Sequence, residues 1–126
     1  MDDLELAWET YDFHTYMLHE LEVKHHSVME YYQRFVKRNL NPSQAKKTYA
    51  RNKINKSFSA ILTSYGKQLK SIDDLIKIYK IYKVDGIPLP EGREIDPQLF
   101  ITLKNVTATL MEEVKILRKE INEVLR

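Results

Sequence analysis

The chain has 126 residues, a net charge of +2 and no cysteine, which together indicate one small domain over residues 1–126 without disulfides or thiolate zinc sites. Hydrophobic residues make up 43% of the chain and charged residues 30%, so a folded protein is expected rather than a disordered one. No apolar run approaches the roughly 20 residues that span a membrane, and the acidic N-terminal segment lacks the features of a signal peptide. With three glycines and four prolines, the chain is expected to form a few long elements.

A helical pattern begins at Leu4. Apolar and histidine side chains recur every three or four residues up to Phe35, and no glycine or proline occurs before Pro42. This pattern predicts one helix over residues 3–38, roughly 54 Å long at ~1.5 Å per residue. A compact domain of this size has a radius of gyration of only about 14 Å, so we expect the helix either to kink near His25 or to project in part and meet a partner chain. The second option is preferred.

The side chains expected in that self-association lie on the first and last long helices. They are Tyr11, Leu18, Leu21, Val28, Tyr32, Phe35, Leu110, Leu117 and Ile121.

Two basic helices are predicted next. Asn41 as the N-cap and Pro42 at the first position predict a helix over residues 42–65 that ends at Gly66. Ser71 signals a further helix over residues 72–84, for which a strand is the alternative because IKIYKIYKV is rich in β-formers.

A loop over residues 85–96 separates this region from the last helix. Asp96 and Pro97 repeat the pattern of a cap followed by proline and begin a helix over residues 97–126. The fold class is therefore all-α, with about four helices, two of them long, in an elongated bundle or a coiled-coil-like hairpin.

Charge is unevenly distributed along the chain. Residues 1–33 carry a net charge of −7, residues 34–83 carry +11 and residues 84–126 carry −2. The basic middle, in which Tyr49, Phe58 and Tyr65 are interleaved with lysine and arginine, predicts a polyanion-binding surface. The alternative is that the acidic flanks neutralise it within the folded protein. The candidate phosphate contacts are Arg34, Lys37, Arg38, Lys46, Lys47, Arg51, Lys53 and Lys56.

A helix-turn-helix is one way to present these cations. A break near Asn52–Asn55 would allow a recognition helix that begins at Lys56, with Ser57 and Ser59 in its first turn. The alternative is one continuous helix with its lysines in solvent. No glycine marks the predicted turn.

A family resemblance lies in the same region. Gln33-Arg34-Phe35-Val36 followed by Leu40-Asn41-Pro42-Ser43-Gln44-Ala45 resembles the start of the DNA-binding domain in phage terminase small subunits. The resemblance implies a non-catalytic protein that recognises viral DNA for packaging and forms rings through helical hairpins. It favours DNA over RNA as the partner and a phage-encoded protein in the cytoplasm of a bacterial host cell.

The four histidines all lie between His14 and His26, close to several carboxylates. Glu22 and His25 have the spacing found in di-iron bundles, and His19, Glu22 and His26 have the spacing of a helical zinc site. Only one such di-iron motif is present, however, and a histidine on an apolar face is more often hydrogen-bonded core. We therefore expect no metal and no cofactor. If His14 and His25, which fall on the apolar face, are buried, they should resist protonation.

The sequence contains no motif typical of a catalytic site. The glycines are too isolated for a phosphate loop, and the chain has no cysteine and no G-x-S-x-G nucleophile. We therefore expect a non-enzymatic, self-associating helical protein that binds nucleic acid through its basic middle. The alternative is a protein–protein adaptor or inhibitor of a host machine that binds no nucleic acid and uses the first helix to dock a partner protein.

Overall fold

The computed structural model describes residues 3–126 and contains three α-helices. The first, α1, spans Asp3–Arg38, the second, α2, spans Gln44–Asp85 and the third, α3, spans Pro97–Val124. No strand occurs within residues 3–126. The all-α prediction is confirmed, but the predicted count of about four helices is wrong because the two basic helices form one helix of 42 residues.

The continuity of α2 has a local explanation. Gly66 lies in mid-helix instead of ending one, and its backbone is not in the left-handed region. Ser71 does not cap a new helix either, because its buried hydroxyl donates to the carbonyl of Gln68 at 2.8 Å. The helix also runs unbroken through residues 52–55, so the predicted helix-turn-helix is absent, and residues 76–84 are helical rather than extended.

The helix ends follow ordinary capping chemistry. Ser43, rather than the predicted Asn41, caps α2, and its hydroxyl accepts the amide of Lys46 at 3.3 Å. Gly86 ends α2 with a φ of +66°, which only glycine adopts without strain. Asp96 caps α3 as predicted, with its carboxylate accepting the amide of Gln98 at 3.0 Å.

The central helix is α2, and both α1 and α3 pack along it. One apolar cluster joins the start of α1, the end of α2 and the start of α3, and a second cluster joins the opposite ends of the helices, so the chain runs up, down and up. The buried members of the first cluster are Leu4, Ala7, Trp8, Ile72, Leu75, Tyr79 and Phe100. Those of the second are Ala50, Ile54, Phe58, Ile121 and Leu125. Uncharged polar residues, among them Ser64, Gln68 and Thr107, are buried between the clusters.

The long first helix has a partner within the chain. It has the predicted bounds and 36 residues, but α2 is longer still and lies beside it. The length of α1 therefore does not by itself require a partner chain, because α2 is one long helix rather than the two short helices predicted. Apolar residues of α1 such as Tyr11, Tyr32 and Phe35 pack against the two clusters.

The remaining residues predicted for self-association divide into two groups. Val28 also packs against the second cluster, and Ile121 is one of its buried members. Leu18 and Leu21 are half-buried. Only Leu110 and Leu117, on α3, are clearly exposed, at 43% and 40%.

A polar clamp fixes the position of α3 along α2. The side-chain amides of Asn55 and Asn122 donate to each other's oxygen atoms at 2.8 and 2.9 Å. Arg118 donates to the oxygen of Asn55 and to the hydroxyl of Ser59, both at 3.2 Å. Because a sliding helix would break all four bonds, the clamp favours one register. It lies where the helix-turn-helix was predicted.

Candidate nucleic-acid interface

The eight predicted phosphate contacts come together at one end of the bundle. The antiparallel turn between α1 and α2 brings the last turns of one helix next to the first turns of the other. Residues 30–60 hold eight bases and a single acid, Glu30. We call this region the basic end. Its cations are Arg34, Lys37, Arg38, Lys46, Lys47, Arg51, Lys53 and Lys56.

Three of these cations also stabilise the fold. Arg51 donates to the carbonyl of Leu125 at 3.4 Å, and Lys47 donates to the carbonyl of Arg126 at 3.5 Å. These contacts satisfy acceptors at the negative end of α3. The ammonium of Lys53 lies 4.2 Å from the centre of the Tyr31 ring, which is a cation–π contact.

The other five cations are exposed to solvent. Four ion pairs occur within residues 3–126, and none involves any of the eight cations. Glu30 pairs with His26 at 3.0 Å instead. No ion pair in that range joins α1 to α2, so direct pairing with the acidic first helix does not neutralise the basic end.

The opposite end of the bundle is acidic. Residues 3–12 and 73–104 surround the first apolar cluster and hold ten acids and five bases. Two ion pairs lie here, Lys104 with Asp73 at 2.7 Å and Arg93 with Glu5 at 3.4 Å. Charge is therefore separated along the length of the molecule, and this separation was not evident from the sequence because it depends on how the helices are arranged.

The interleaved aromatic residues have different environments. Phe58 is fully buried, and Tyr65 is 5% exposed with its hydroxyl donating to Glu22 at 3.3 Å. Burial, followed by the nearby carboxylate of Glu22, raises the pKa of Tyr65 to about 12. Tyr49, by contrast, is 67% exposed among the cations. Tyr31 on α1, which no pattern in the sequence singles out, contacts this group of residues through Lys53.

The histidine region has no metal-site geometry. Within residues 3–126, no group of three or more His, Cys, Asp or Glu side chains is placed to hold a metal ion. Of the candidates, Glu22 accepts from Tyr65 and His26 pairs with Glu30, while His19 is exposed. His25 is half-buried, and its Nδ1 lies 2.7 Å from the hydroxyl of Ser57.

Comparison with known proteins gives no relative for this chain. No family model matches it, and no curated protein or solved structure is significantly similar. Among the described helices, none is long and apolar enough to cross a membrane.

Proposed function

We propose that this chain is a small, non-enzymatic helical protein that binds nucleic acid through its basic end. The observation that carries the proposal is the gathering of eight cations from two helices at one end, none of which pairs with an Asp or Glu side chain within residues 3–126. Cations left unpaired in the folded chain remain available to phosphates.

The absence of a helix-turn-helix changes how such binding would work. The cations project from the sides of two continuous helices, so the contact is with the phosphate backbone and does not use a helix inserted into a groove. Neutralising phosphates releases bound counterions, which makes the affinity strongly dependent on salt. The terminase resemblance supports DNA as the partner, and a phage DNA-packaging or regulatory factor in the bacterial cytoplasm as the setting.

Charge removal at the basic end tests this function. We expect a variant with Arg34, Lys37, Lys46 and Lys56 changed to glutamine to bind DNA more weakly than the wild type. Its slope of log affinity against log salt should be smaller by about three, at 0.7–0.9 for each lost phosphate contact. Fluorescence anisotropy from about 50 to 200 mM salt measures both quantities.

The matched control removes lysines from the same helix at the acidic end. Lys77, Lys80 and Lys83 are exposed, and changing them to glutamine should leave both affinity and slope nearly unchanged. Absence of wild-type binding at about 50 mM salt, or a salt slope that is equal in both variants, would contradict the proposal.

An exposed row on α3 favours a second candidate function, protein–protein contact. Its five apolar residues recur at helical spacing beside the buried face of α3, and each is 40–60% exposed. We call them the outer row: Leu99, Val106, Leu110, Leu117 and Val124. This row, rather than the face of α1, is the surface for self-association or for an adaptor function.

Light scattering distinguishes these uses of the outer row. If the chain self-associates, its mass should exceed 15.0 kDa, and changing Leu110 and Leu117 to glutamate should return it to the monomer value. A monomer that binds no nucleic acid at low salt would favour the adaptor.

A further inference from the structure

Lysines continue along α2 beyond the basic end. Over residues 44–72 this helix carries seven bases and no acid. Five exposed lysines follow each other at spacings of 7, 3, 11 and 3 residues, which keeps them on one side of the helix. We call them the lysine row: Lys46, Lys53, Lys56, Lys67 and Lys70. The row is roughly 36 Å long at ~1.5 Å per residue.

Tyr49 lies within this row, three residues after Lys46 and four before Lys53. Its ring is 67% exposed. It makes no ring contact and no side-chain hydrogen bond with any residue from 3 to 126. An aromatic ring is therefore presented to solvent between two cations of the same helix face.

Tyr31 forms the other side of this arrangement. The ammonium group of Lys53, which lies four residues after Tyr49 on α2, is 4.2 Å from the centre of the Tyr31 ring. Burial raises the pKa of the Tyr31 hydroxyl, and the electrostatic influence of Tyr49 raises it further. The result is one free ring, one ring covered by a cation and a line of lysines on a continuous surface.

We propose that this surface binds single-stranded nucleic acid, with a base stacking on Tyr49 while the lysine row neutralises the phosphates. This inference rests on the proposed nucleic-acid binding and narrows it to one class of ligand. A free aromatic ring can stack on any unpaired base, whereas the bases of a duplex already cover each other's faces. With no helix projecting into a groove, the surface offers nothing that reads a duplex from its base edges.

Anisotropy with short fluorescent oligonucleotides tests the inference. The wild type should bind a single strand about tenfold or more tightly than the matched duplex at equal salt. Tyr49→Ala should weaken single-strand binding by about 5- to 150-fold, the loss expected when one stacked base is released. Its salt slope should not change, because no charge is removed. Tyr49→Phe, which keeps the ring, should bind like the wild type.

Tyr16→Ala is the matched control. Tyr16 is 62% exposed on α1, but its helical neighbours four residues away are Asp12 and Glu20 rather than lysines. Its removal should leave binding unchanged. A comparison of the affinities for DNA and RNA strands of the same sequence shows whether the protein distinguishes deoxyribose from ribose.

A direct readout of stacking uses Tyr49→Trp. Trp8, the one natural tryptophan, is 8% exposed in the apolar cluster at the acidic end and supplies a constant background. We expect single strands to quench the fluorescence of the introduced tryptophan and duplexes to leave that fluorescence unchanged. Equal binding of both forms, with no effect of Tyr49→Ala and no quenching, overturns this inference but leaves the proposed function intact. Absence of binding to either form at about 50 mM salt overturns both.

Discussion

At the scale of single residues, His25 shows why the histidine region supports a structural role. It faces α2 from the middle of α1, where its Nδ1 meets the hydroxyl of Ser57 and its ring lies edge-on to Phe58 with centres 4.6 Å apart. Burial lowers the pKa of His25 below its ordinary value of 6.5. His14, which falls on the same apolar face of the predicted helix, is half-exposed beside Lys67 and Lys70.

Acid should therefore weaken the packing of α1 on α2. Because the folded pKa of His25 is lowered, the unfolded chain binds a proton first as the pH falls. The stabilising contribution is complete above about pH 6.5 and is lost as the pH falls from there through the folded pKa. Between pH 8 and pH 5, urea unfolding should show a larger loss of stability for the wild type than for His25→Gln.

The exposed His19 provides the control for this measurement. His19→Gln should lose stability with falling pH as the wild type does, since its side chain lies in solvent. An identical pH dependence for all three proteins would mean that His25 is not held neutral by the fold.

At the scale of whole elements, the sequence predicts a helix end correctly where one pattern determines it. It fails where a local end signal lies within a segment that packing keeps helical. The uninterrupted apolar spacing of α1, the glycine after α2 and the Asp-Pro start of α3 all predict what is observed. Gly66 is typical of a helix end and Ser71 of a helix start, but each is tolerated inside a helix at a cost of about 1 kcal/mol or less. Packing on two neighbouring helices outweighs such a cost, and a single sequence does not display that packing.

Two glycine substitutions test the continuity of α2. At Gly66 an added Cβ meets nothing within 4 Å and the backbone is helical, so Gly66→Ala should stabilise the protein by about 0.5–1 kcal/mol. At Gly86 the φ of +66° strains any side chain, so Gly86→Ala should destabilise it by about 1 kcal/mol or more.

Thermal or urea unfolding of both variants gives the sign of each change. If α2 were two helices with Gly66 in a left-handed cap, the alanine at residue 66 would destabilise the protein instead. Equal losses at the two glycines would therefore favour the four-helix prediction.

At the scale of the whole molecule, the helices convert a sequence bias into a charge separation along the bundle. The cations of the candidate interface were predictable because they lie in one contiguous segment. The contact of Tyr31 with Lys53 was not, because it joins helices whose register only the packed bundle defines. The acidic end was not predictable from the sequence either, because residues far apart in the chain surround one apolar cluster there.

A charge separation of this kind affects the approach to a ligand as well as the bound state. An elongated body that is positive at one end and negative at the other experiences a torque in the field of a polyanion. It should therefore rotate during the last stage of diffusion so that the positive end arrives first. Since that field decays within about 8 Å at physiological ionic strength, the alignment would be confined to the final nanometre of the encounter.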